Sequence, residues 1–139
     1  MKKIILVTCF VLSSVCLYSQ TREDLNSFFS SLSGKWTPNN EWTGAMYDFT
    51  LVWDGKDVYF SYTSKSNFVN GKRTYSFSTD KAKWIDNKLI LSYRSVAVDI
   101  DLISNVTIEI PYQPNTSGVI MATVSSTYEE PNKRVFFKH

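Results

Sequence analysis

The sequence predicts an all-β protein: an antiparallel up-and-down meander of about eight to ten short strands closed into a small barrel, with one N-terminal amphipathic helix. A β-sandwich is the alternative, because either arrangement protects the strand edges. Three observations lead there. Residues 47–62, YDFTLVWDGKDVYFSY, read as a hairpin: Tyr47, Phe49, Leu51 and Trp53 alternate with Asp48, Thr50 and Val52, Asp54-Gly55 signals a two-residue turn, and Val58, Phe60 and Tyr62 resume the alternation. Period-two runs then recur to the end of the chain, separated by turn residues. Only one stretch has helical periodicity.

That stretch is 21–32. Leu25, Phe28, Phe29 and Leu32 fall at i, i+3, i+4 and i+7, and Thr21 with Asp24 resembles a capping box. So short an apolar stripe must lie on the sheet or plug one end of it. Gly34-Lys35-Trp36 begins the β region, and Pro38, Asn39 and Asn40 make the following residues edge-like. After the hairpin, residues 67–72 form a loop turning at Asn70-Gly71. Strands are expected at 73–78, 82–85, 89–93, 96–102, 106–110, 119–128 and 134–138. Pro111 to Gly118 and Glu130-Pro131-Asn132 supply the later loop and turn.

Residues 1–20 stand apart. A basic Met-Lys-Lys start, an apolar run over 4–15 and a small residue at Ser19 read as a bacterial secretory signal peptide, too short to span a membrane. The expected location is periplasmic or secreted. Cys16 offers a lipidation alternative and the only expected route to a membrane. Both cysteines, Cys9 and Cys16, lie in this segment, so the domain over 21–139 relies on its core for stability. Taking Lys2 and Lys3 from the 15 basic residues leaves 13, against 13 acidic ones. Such a balance gives no pull toward nucleic acid.

Catalytic constellations are sparse. The one histidine is His139, which removes Cys/His metal clusters and Ser-His or Cys-His nucleophile systems. No phosphate-cradling glycine loop or nucleophile elbow occurs. Asp99 with Asp101, and Glu129 with Glu130, are carboxylate pairs that read as solvated. No enzyme activity, metal or cofactor is expected. The aromatic set is more informative. Tyr47, Phe49, Phe60, Tyr62, Tyr75, Phe77, Trp84 and Tyr93, with Trp53, fill a core or line a ligand pocket. Trp42 suits an exposed rim, and Lys81, Lys83 and Lys88 make a small basic patch around Trp84.

Gly34-Lys35-Trp36, after a short helix and ahead of an up-and-down series of this length, resembles the lipocalin-like (calycin) barrels. Thr79-Asp80, here followed by Lys81, matches the start of the Thr-Asp-Tyr turn common in lipocalins. The resemblance implies a lipocalin-like barrel over 21–139. In it Gly34 would permit close backbone approach, Trp36 would close the floor against the helix, and Arg134 would stack on Trp36. It also implies binding of a small apolar ligand. The expected function is therefore an exported, monomeric, non-catalytic binding protein for a small hydrophobic ligand. Two alternatives stand beside it. One is a secreted interaction module, such as a protease or lysozyme inhibitor, using loops 67–72 or 113–118 on a protein partner. The other is a carbohydrate-binding sandwich using Trp42.

Overall fold

The computed structural model describes residues 20–39, 47–97 and 102–139. Helix α1 (Arg22–Leu32) precedes nine strands: β1 (Gly34–Pro38), β2 (Phe49–Trp53), β3 (Val58–Val69), β4 (Lys72–Lys81), β5 (Lys83–Ile85), β6 (Lys88–Val96), β7 (Ile103–Pro111), β8 (Val119–Ser126) and β9 (Glu129–Lys138). All belong to one antiparallel sheet in the order β4-β3-β2-β1-β9-β8-β7-β6-β5. One continuous sheet replaces the two expected of a sandwich.

The sheet curls without closing, which corrects the expectation of a closed barrel. β4 and β5 are its two free edges, yet they follow each other in the chain, linked by Ala82. The Ala82 N–H donates to Val58 O on β3 at 2.8 Å. That bond turns the chain across the end of β3 and leaves the two edges without a shared ladder. Across the opening, β3 and β6 touch through side chains: Tyr62 and Tyr93 lie 4.7 Å apart between ring centroids, and the Ser95 hydroxyl donates to Thr63 O.

The alternation expected in the central hairpin places Tyr47, Phe49, Leu51, Val58 and Phe60 inside, where all five are buried. Its turn is longer than two residues. Trp53 pairs with Val58, and the Asp54 carboxylate accepts the Lys56 and Asp57 N–H groups at 2.8 and 2.7 Å across residues 54–57. An aspartate that captures two backbone donors widens the loop while keeping the strand register. Three strand expectations also shift. β3 runs on to Val69, so the loop expected over 67–72 shrinks to Asn70-Gly71, both at positive φ. β9 starts at Glu129 and contains Pro131, which is tolerated because the ladder slips between Val124 and Ser126. Val96 is the last residue of β6 and pairs with Ile103 of β7, while 98–101, with Asp99 and Asp101, lie outside the described residues. So do the expected signal segment through Ser19, and Trp42.

Helix α1 plugs one end of the curl. The Thr21 hydroxyl accepts the Asp24 N–H and the Asp24 carboxylate accepts the Thr21 N–H, the expected capping box. Phe28 and Leu32 are buried, Phe28 packing on Trp84 and edge-on to Tyr112. Trp36 is fully buried beneath the helix and its indole N–H donates to Leu32 O at 2.7 Å.

The cation over Trp36 is Lys138, its ammonium 5.9 Å from the ring, and not Arg134. Register explains the correction. Trp36 stands directly opposite Lys138 in the β1–β9 ladder, and Arg134 lies four residues away, roughly 13 Å along the strand. Lys138 also donates to Ser31 O at 3.0 Å, tying strand to helix. Gly34 makes room for it: a Cβ there would lie 2.6 Å from Lys138 Cε, and the backbone φ of +137° excludes ordinary side chains. Gly34→Ala is expected to lower stability by about 1–2 kcal/mol, measured by urea unfolding. A loss no larger than that of Lys138→Ala would show that only the side-chain clash matters.

Candidate functional site

The aromatic positions singled out in the sequence part company in the structure. Phe49 and Phe60 are deep core, Phe49 against Phe136 and Phe60 against Tyr62 and Tyr93. Tyr47, Tyr62 and Tyr93 gather toward the end of the curl away from the helix. The Tyr47 hydroxyl is shared between Ser126 Oγ at 3.1 Å and Glu129 Oε2 at 2.8 Å, and Arg134 lies 5.4 Å over its ring while also binding Glu129 Oε1. Tyr62 donates to Asp80 Oδ2 at 2.7 Å. Burial, then the Asp80 carboxylate, pushes the Tyr62 hydroxyl up to about 12, and burial raises Tyr47 and Tyr93 as well. All three therefore remain neutral donors at physiological pH. Tyr75 and Phe77 stand on β4, away from this cluster, Phe77 at 72% exposure.

Trp84 and Trp53 are the members of that set that line an open groove of about 530 Å³ at the helix end. The groove lies where the sheet fails to close. Its walls come from α1, the β2–β3 turn, the β4–β5 corner and the start of β6. Phe29, Trp53 and Trp84 form its aromatic surface, with ring centroids 5.0 Å apart for Phe29–Trp53 and 5.1 Å for the edge-on Phe29–Trp84 pair. Local structure holds each wall. The helical spacing that buries Phe28 turns Phe29 toward Trp53, the Trp53 N–H is fixed by Ser33 Oγ at 3.0 Å, and Trp84 is set by the three-residue β5 paired to β6.

The rim is cationic. Lys56, Lys81 and Lys83 line the groove, with Asp57 as its one acidic residue among the described residues. Asp57 is engaged by Lys81 at 2.8 Å, and that bond raises the Lys81 ammonium above its ordinary range. The nearby Asp54 is turned into its own loop. Three lysines against Asp54 and Asp57 leave a net positive charge around an apolar floor, a combination suited to a molecule with an apolar body and an anionic end. Among the described residues no group of three or more His, Cys, Asp or Glu could hold a metal.

Sequence reasoning found Trp53, Trp84, Lys81 and Lys83 but took the lysines only as a small basic patch, and it missed Phe29 and Lys56 as groove residues. The available signal was Ala82, a lone small residue between Lys81 and Lys83 where a strand pattern breaks. Comparisons with protein-family models, with curated proteins and with solved structures gave no match.

Proposed function

We propose that this chain is a non-catalytic binding protein for a small amphipathic molecule, held with its apolar part on Phe29, Trp53 and Trp84 and its anionic end among Lys56 and Lys83. The observation that carries this reading is the 530 Å³ groove, large enough for a small ligand and lined by aromatic rings below and an excess of lysines above. Together with the signal-like segment at 1–20, it fits a monomeric carrier or sensor in a periplasmic or secreted setting. The lipocalin-like resemblance supports ligand binding in general, although the groove lies at the unclosed side of the curl rather than in an enclosed barrel interior.

Tryptophan emission provides the test, because Trp53 and Trp84 both border the groove. Titration with dodecanoate is expected to change the emission saturably, and dodecanol to bind about tenfold or more weakly, since it lacks the charge. Trp84→Ala should abolish saturation, and Lys56→Gln with Lys83→Gln should erase the preference for the acid. Equal affinity for acid and alcohol, or an unchanged titration after Trp84→Ala, would refute the reading.

A further inference from the structure

We propose that the β3–β4 hairpin is an arm that docks the protein onto an anionic lipid bilayer. β3 pairs with β2 only from Val58 to Ser61; beyond that its ladder partner is β4. The register slips between Thr63 and Lys65, where the pair leaves the body of the sheet. From there the two strands project roughly 15 Å to a turn at Asn70-Gly71. Asn70 and Gly71 have φ of 50° and 73°, the mirror-image geometry that gives a tight, well-ordered tip.

The tip combines the two chemistries a charged bilayer surface recognises. Phe68 and Val69, its last strand residues, are 68% and 56% exposed, although residues of this kind are ordinarily buried. Directly across the ladder from Val69 stands Lys72, and Lys65 follows along the arm, both exposed; Arg73, opposite Phe68, is half-buried and already engaged within the protein. From Thr63 to Thr79 there are three basic residues and no acidic one, in a sequence whose total charge is nearly balanced. An apolar point flanked by long cationic side chains can enter the headgroup boundary while its charges stay at phosphate level. The shape favours a bilayer over a rigid partner: the tip is convex and one turn wide, which gives a protein little to enclose but suits a soft interface. The sequence suggests a membrane route through Cys16; the arm provides a separate one, independent of the ligand groove.

The test is co-sedimentation of the protein, purified from its host in its processed form, with phosphatidylcholine vesicles and with vesicles of phosphatidylcholine and phosphatidylglycerol. Wild type is expected to bind the mixed vesicles far better, and less as salt rises. Each basic residue near such a surface contributes about fivefold, so the combined K65Q and K72Q variant should lose about 25-fold in partitioning. Phe68→Ser with Val69→Ser should lose about tenfold. Lys65, Phe68, Val69 and Lys72 are all exposed and the turn is unaltered, so melting temperatures should hold. As a second measurement, Phe68→Trp should give a blue-shifted emission increment on mixed vesicles alone. Failure of wild type to bind, equal binding by the variants, or a loss confined to the charge variant (adsorption of a polyanion without insertion) would each overturn the proposal.

Discussion

Replacing Trp36 with alanine is expected to lower the unfolding free energy by about 3–5 kcal/mol, the largest single loss in the molecule. The indole is fully buried, and three separate structures converge on it. Its N–H satisfies Leu32 O at the end of α1, its β1 backbone pairs with β2 and β9, and its face carries Lys138. Truncation would open a cavity and remove the donor that caps the helix end. Trp36→Phe separates these effects, keeping most of the volume and losing the hydrogen bond. Lys138→Met should cost under about 1 kcal/mol, as expected for an exposed cation over a ring. Guanidinium unfolding measures all three. A Trp36→Ala loss below about 1.5 kcal/mol would mean that Trp36 is not the keystone of the helix end.

The second large effect belongs to the opposite end of the curl. Arg134→Met is expected to remove about 2–3 kcal/mol at neutral pH, because it strands Glu129 beside Tyr47 with only partial access to water. The carboxylate also sets a pH dependence. Burial by itself would raise the Glu129 carboxyl, but the hydrogen bonds from Arg134 and Tyr47 outweigh it and hold it below the usual carboxylate range. A depressed carboxyl contributes stability that is complete above its unfolded value, about 4.3, and is lost as pH falls through the folded value. Glu129→Gln should therefore be less stable than wild type at pH 7 and converge with it near pH 3. Parallel stability curves from pH 7 to 3 would contradict this assignment.

These two effects mark the boundary of what the sequence made legible. Strict alternation identified nearly every strand, because a sheet with one buried face must repeat every two residues. The capping pair Thr21 and Asp24 located α1 to within a residue. Gly34 and Trp36 were likewise visible as a packing unit. Partnership across the sheet was not visible. Whether Arg134 or Lys138 reaches Trp36 depends on the register of β9 against β1, fixed by pairing between strands roughly a hundred residues apart. The groove was hidden for the same reason. Phe29, Trp53, Lys56 and Trp84 come from four separate elements, and only the opening between β4 and β5 brings them to one surface. The failure to close was hard to read, because Ala82 marks a break in the strand pattern without showing that β4 and β5 stay unpaired on either side of it.

The position of β9 has a consequence for how the chain assembles. The sheet's outer strands, β4 and β5, are neighbours in sequence, while its middle is made by the first strand and the last. Strands β1 to β4 and β5 to β8 can each form by local zipping. Neither half can complete the interior until β9 arrives and inserts between β1 and β8. Joining strands that far apart opposes folding by on the order of 4 kcal/mol of loop-closure entropy, so it should be the slow step. Until then β1 and β8 are raw edges open to pairing with other chains. Aggregation during biosynthesis is thus a race against one ten-residue strand, and the same strand delivers Phe136, Arg134 and Lys138 to the core, the tyrosine cluster and Trp36 together.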